Sequence, residues 1–125
     1  MKAGALARLK SRDEFLRAAK GRKIAAPGLV LQIAKAPDEF AHTMRAGFTV
    51  TKKIGNAVTR NRARRRLKEA AAKLLPLYGR KGHDYVLVGR AETPVRNFSL
   101  LLEDLKTALG KAHGPAKARD GNADS

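Results

Sequence analysis

Between Lys52 and Lys68 the chain carries eight basic residues and no acidic one: Lys52, Lys53, Arg60, Arg62, Arg64, Arg65, Arg66 and Lys68. That chemistry is polyanion binding. Guanidinium forks match phosphate oxygens two at a time, and the five Arg against one Lys from 60 to 68 favour bidentate phosphate contact and base stacking over a diffuse cation cloud. A solvated helix usually mixes signs, with Glu four residues before Lys. Here only Arg65–Glu69 and Glu69–Lys73 do so. Arginines near a helix start also oppose its dipole, at about a few tenths of a kcal/mol each. A bound anion resolves that conflict.

The remaining residues offer little other chemistry. A protein nuclease needs clustered carboxylates or histidines at metal-ligand spacing. His42, His83 and His113 fall in a loop, before a strand and in the tail, and read as surface residues. Glu103-Asp104 reads as a solvated pair on a helix. Neither a catalytic residue, a metal site nor a protein-bound cofactor is expected.

Composition agrees. The 125 residues include 27 Lys or Arg against 11 Asp or Glu, a net charge of +16, yet 43% are hydrophobic. That is too apolar for a disordered basic tail and the right length for one domain. Self-repulsion on this scale calls for a polyanionic partner. No cysteine is present, which excludes disulfides, thiolate zinc and thiol nucleophiles. No apolar run approaches a membrane span, and Ala3–Ala7 is too short for a signal-peptide core. The expectation is a cytoplasmic chain with no membrane association.

The elements that must position the arginines follow from pattern. Residues 1–8 read as a flexible N-terminus, 9–110 as the folded domain and 111–125 as a polar tail. Ser11-Arg12-Asp13-Glu14 fits a capping box, opening a helix that exposes Phe15 and stops at Gly21. Leu29–Ala34 reads as a buried strand. Thr43–Val50 alternates, with Met44, Ala46, Phe48 and Val50 on one face, and the two strands form an expected antiparallel pair. Asn56 caps a long helix to about Leu74, before Pro76, with Ala63, Leu67, Ala70, Ala71 and Leu74 as its core seam. Arg60 projects near that seam, so the first turn is expected to overhang a groove that takes Arg60 and Asn61. Tyr85–Val88 is a second buried strand. Thr93-Pro94 caps a last helix over about 94–110. The pattern predicts helices over a small sheet.

Gly47-Phe48-Thr49-Val50-Thr51-Lys52-Lys53-Ile54-Gly55-Asn56-Ala57-Val58-Thr59-Arg60-Asn61-Arg62, continuing to Lys68, closely resembles the signature of the bacterial ribonuclease P protein subunit. Arg8-Leu9-Lys10, Phe15 and Tyr85–Arg90 agree in order, so the resemblance spans residues 8–110. It implies an α+β fold: a small single-domain αβββαβα sandwich, akin to a domain of a small-ribosomal-subunit protein. A left-handed βαβ crossover is implied, rare against the usual hand, and a short first strand near Arg22–Ala25.

It further implies that the partners are a catalytic RNA subunit and precursor tRNA, with no obligate protein partner. Hydrolysis would be carried by the RNA with bound Mg²⁺, the protein being the non-catalytic component of an endoribonuclease that matures tRNA 5′ ends. Carried over residue by residue, Lys52, Lys53, Asn56, Arg60, Asn61, Arg62, Arg64, Arg65, Arg66 and Lys68 would bind RNA. Phe15, Gln32, Phe48 and Arg90 would form the cleft for the single-stranded 5′ leader. Relatives often carry a second aromatic about one turn after Phe15, where this chain has Ala18 or Ala19, and another where Gln32 stands. Stacking a base on an aromatic is worth ~1–3 kcal/mol, so this cleft should stack less.

Rival readings predict different behaviour. A general RNA-binding module, such as a ribosomal protein, would show similar salt dependence but no effect on precursor processing. A duplex-DNA reader would show helix-turn-helix spacing, which is absent. A membrane-surface helix would need a broad Phe, Trp or Leu face in place of alanine.

Overall fold

Ser11 and Glu14 close the predicted box. The Ser11 hydroxyl accepts the Glu14 amide at 3.3 Å, and Glu14 Oε1 accepts the Ser11 amide at 2.9 Å. The computed structural model describes residues 6–114. Along the chain it holds β1 (Leu6–Arg8), α1 (Arg12–Ala19), β2 (Arg22–Ala25), β3 (Leu29–Lys35), β4 (Met44–Thr49), α2 (Ala57–Tyr78), β5 (His83–Gly89) and α3 (Phe98–His113). After β1 the order is αβββαβα, with β2 where the resemblance placed it.

The sheet order is β1-β4-β5-β3-β2. The expected antiparallel pairing of β3 with β4 is therefore incorrect: β5 lies between them, parallel to β4 and antiparallel to β3. Tyr85–Leu87 are buried on both faces of the sheet, and a strand apolar on both sides takes the centre. Parallel β4 and β5 require a crossover, and α2 supplies it.

Two helices cover one face and one covers the other. α2 and α3 pack Leu67, Leu75, Leu101 and Leu105 onto Leu31, Tyr85 and Leu87. On the opposite face α1 contributes only Ala18, against Leu9 and Val86, with Phe15 and Val88 at the margin. Thin cover on that face leaves room for a cleft.

Other boundaries move for identifiable reasons. The N-terminal residues expected to be flexible include β1, which pairs in parallel with Met44–Ala46; Leu9 follows, buried, donating its N–H to the Ala46 carbonyl. α2 does not stop before Pro76 but runs to Tyr78. Proline deprives only the exposed Ala72 carbonyl of its helical donor, and extension buries Leu75 instead of Leu74. α3 begins at Phe98, not Pro94. Asn97 accepts the Ser99 and Leu100 amides, while the buried Thr93 hydroxyl accepts from the Arg90 amide and donates to the Gly28 carbonyl. Thr93 is a loop staple and so does not cap.

α3 also continues through residues 111–113, which the tail boundary had excluded. His113 is no surface tail residue: its Nε2 lies 2.7 Å from the Tyr85 hydroxyl. Nor is Asp104 solvated. Buried, it accepts Arg96 Nε at 2.5 Å and the Gly28 amide at 3.0 Å. The other parts of the expected flexible ends, residues 1–5 and 115–125, lie outside the described residues.

Candidate nucleic-acid interface

Asn56 starts α2 by accepting the Thr59 amide at 2.9 Å, so its side-chain oxygen is already engaged. From there Ala63, Leu67, Ala70, Ala71 and Leu75 make one fully buried seam. Asn61, Arg62, Arg65 and Lys68 are exposed, as are Lys52 and Lys53 on the 3-10 turn before the helix. The ion pairs among the described residues join Arg45 to Glu14 and Asp84, and Arg96 to Asp104. None neutralises α2. One face is packed and the other is uncompensated cation.

Three side chains depart from the expected display. Arg66 turns back onto the protein, donating Nη2 to the Arg96 carbonyl with its guanidinium 5.5 Å from the Phe98 ring centroid. It braces the loop before α3 and does not join the outward array. Arg60 is half-buried, its Nε shielded without a hydrogen-bond partner in the described structure. Asn61 does not share a groove with it; it stands exposed, its Oδ1 accepting Arg64 Nη1 at 3.3 Å. The groove beside the sheet edge is reached instead by Arg64 and Lys68. They line a notch of about 120 Å³ with Arg8, Leu9, Phe15 and Phe48.

A second opening, of about 450 Å³, lies between α1 and the sheet. Arg12, Phe15, Leu16 and Ala19 form its roof, and Gln32, Thr49 and Val88 its floor. Phe15 and Gln32 are thus brought together as expected. Phe48 does not line this opening: alternation along β4 turns it toward α2, where it packs on the main core. Arg90 lies past the end of β5, donating Nη1 to the Ala26 carbonyl at 2.7 Å, and does not line the cleft. Arg12, Thr49 and Val88 are not among the expected cleft residues; α1 supplies Arg12, and only the sheet order places Thr49 and Val88 beside Gln32.

The sequence also concealed a buried ion network. Arg45, its side chain 4% exposed, donates Nε and Nη2 to the two Asp84 oxygens at 2.8 and 2.7 Å and Nη1 to Glu14 Oε2 at 2.6 Å. Its guanidinium also lies 3.9 Å from the Phe40 ring centroid. Glu14 Oε1 meanwhile accepts the Lys10 and Ser11 amides. These backbone amides first, and the Arg45 charge after them, hold the Glu14 carboxyl down at about 2. Hydrogen bonding to Asp84 raises the Arg45 pKa above its ordinary value. The available signal was an Arg inside a strand and an acid heading the apolar run Tyr85–Val88.

Among the described residues no three His, Asp or Glu side chains converge as metal ligands. No helix is long and apolar enough to cross a membrane among those residues.

Comparison with known proteins decides the family. The Ribonuclease P family model matches residues 4–113. The chain belongs to the ribonuclease P protein family. Its relatives include the ribonuclease P protein component of Paramagnetospirillum magneticum, 57% identical over 110 residues, covering 86% of this chain and 83% of that one. Another is that of Ruegeria pomeroyi, 50% identical over 108 residues and covering 86% of each. Among solved structures, the Staphylococcus aureus RNase P protein superposes with a TM-score of 0.70 at 26% identity, covering 85% of this chain and 94% of that one. The Thermotoga maritima protein gives 0.69 at 26% identity, with 86% and 98% covered. As a ribonuclease P protein, the chain takes part in tRNA processing with an RNA partner. Ala18 is fully buried and Ala19 lines the cleft, so of the two positions only 19 would present an added aromatic to that opening.

Proposed function

We propose that α2 docks this ribonuclease P protein onto the catalytic RNA, while the cleft between α1 and the sheet holds the single-stranded 5′ leader of precursor tRNA. The observation carrying this reading is the outward face of α2, where Arg62, Arg65 and Lys68 stand exposed and unpaired by the ion pairs of the described chain. A helix charged in this way is stable only beside a polyanion or at a cost to the fold. Lys52 and Lys53 extend the same surface, and Arg64 and Lys68 carry it to the notch beside β1.

The cleft suits a flexible strand and not a duplex. Its volume of about 450 Å³ is of small-ligand size, with Phe15 available for stacking and Gln32 and Thr49 available for hydrogen bonds to base edges. Cations near both RNAs reduce the repulsion between their phosphates, and so reduce the Mg²⁺ needed to bring them together. Phosphodiester hydrolysis is assigned to the RNA with its Mg²⁺, leaving a 5′-phosphate on the mature tRNA. The protein is the non-catalytic component of this endoribonuclease and works in the cytoplasm, where its substrate is processed.

Reconstitution tests the reading. With a leader-bearing precursor, a cognate catalytic RNA and low Mg²⁺, cleavage should be slight until this protein is added. An unchanged rate, under conditions where another family member raises it, would leave only general RNA binding.

A further inference from the structure

The ring of Phe15 borders both openings, the cleft under α1 and the notch beside β1. Its seat is Gly47. A Cβ at that position would stand 2.6 Å from both Cε1 and Cζ of the ring and 3.2 Å from Leu9 Cδ1. Gly47 is not among the positive-φ glycines of the described residues, which are Gly55, Gly82 and Gly114. Backbone conformation does not call for glycine there; room for the ring does. The neighbour of Phe15 on α1 is Glu14, fixed by Arg45 Nη1 at 2.6 Å. Arg45 stands two residues before Gly47 on β4 and on the same face, so strut and seat belong to one strand.

We infer that Gly47 and the Glu14–Arg45 strut are positioning elements that set how deeply the Phe15 ring sits, and hence the room for a leader nucleotide above Thr49 and Val88. This inference rests on the leader-cleft reading above. An alanine at 47 leaves the ring overlapping its Cβ at 2.6 Å. Ordinary contact begins at 3.4 Å, so the ring must withdraw from β4 by roughly 0.8 Å. Withdrawal displaces a ring that lines the cleft. Aromatic stacking depends on offset and separation, so a displacement of this size degrades contact with a base.

The test uses the full chain assembled with a cognate catalytic RNA and two precursors, one with a full leader and one with a single-nucleotide leader. Gly47→Ala should weaken holoenzyme affinity for the full-leader precursor by roughly three- to tenfold, part of what a stacked base supplies. Affinity for the short-leader precursor and for the catalytic RNA should stay at wild-type values. In a Phe15→Ala background Gly47→Ala should have no further effect, because the ring it displaces is gone. Glu14→Gln, which keeps the capping box but removes the charge facing Arg45, should act in the same direction by a smaller factor. It decides the matter if Gly47→Ala does not fold.

The failures are distinguishable. If Phe15→Ala alone leaves full-leader affinity intact, the cleft reading falls and the positioning goes with it. If Phe15→Ala weakens binding while folded Gly47→Ala and Glu14→Gln variants bind like wild type, only the positioning is overturned. Additive losses in the double variant overturn it as well.

Discussion

Arg45 and Asp84 are register partners on neighbouring parallel strands and bind each other through two hydrogen bonds, at 2.8 and 2.7 Å, out of contact with solvent. The pair stitches β4 to β5 at the strands that α2 connects. The remaining guanidinium nitrogen reaches Glu14 and fastens α1 to the same point. One buried cation thereby ties α1 to the two strands that α2 connects.

Breaking that pair should be costly. Asp84→Ala leaves a buried guanidinium with half its partners, and loss of one member of a buried pair typically costs about 3–5 kcal/mol. Urea denaturation should register a loss of that order. A loss below about 1 kcal/mol, the usual limit for an exposed pair, would mean that Arg45 finds water when its partner is removed.

The arginines of α2 should separate into two classes. Arg62→Ala or Arg65→Ala should flatten the slope of log affinity against log salt for the catalytic RNA by about 0.7–0.9 for each phosphate the variant no longer neutralises. Arg66→Ala should leave that slope unchanged and lower stability by about 1 kcal/mol, because its guanidinium binds the Arg96 carbonyl. A reduced slope for Arg66→Ala would return that side chain to the interface.

Acid should weaken the fold in two steps. Burial first, then the charges of His83, Arg80 and Arg22, push His113 down from 6.5 to about 4. The unfolded chain therefore takes up that proton first, and stability falls as pH drops from about 6.5 to about 4. Glu14, lowered from 4.5 to about 2, contributes stability that is complete above 4.5 and lost as pH falls toward 2. His113→Gln should flatten the upper window of the stability–pH curve and Glu14→Gln the lower one, measured by denaturation at each pH.

The cleft should accept one more aromatic at position 19 but not at 18. Ala19→Phe adds a stacking surface to the opening and should tighten binding of a full-leader precursor by up to ~1–3 kcal/mol. Ala18→Phe would force a ring into a site with no exposure and should destabilise the fold by about 1–3 kcal/mol or more. Leader-dependent binding and thermal melting, taken together, check both.

Much of the molecule is local and therefore legible in the chain. Ser11 with Glu14, Asn56 before its arginines, and the spacing of Ala63, Leu67, Ala70 and Ala71 specify helix starts and faces through contacts a few residues apart. The uncompensated charge of α2 needs only counting. The strand order, by contrast, comes from competition among strands for the centre of the sheet. Tyr85–Val88 won it because both of its faces are apolar, which displaced the expected β3–β4 pairing. That same order decided that Phe48 faces α2, that Gln32, Val88 and Thr49 share one floor, and that Arg66 folds back to a carbonyl 30 residues away. Charge and periodicity are properties of the chain itself. Which distant polar groups satisfy one another is settled only when the sheet closes and brings them within hydrogen-bond reach.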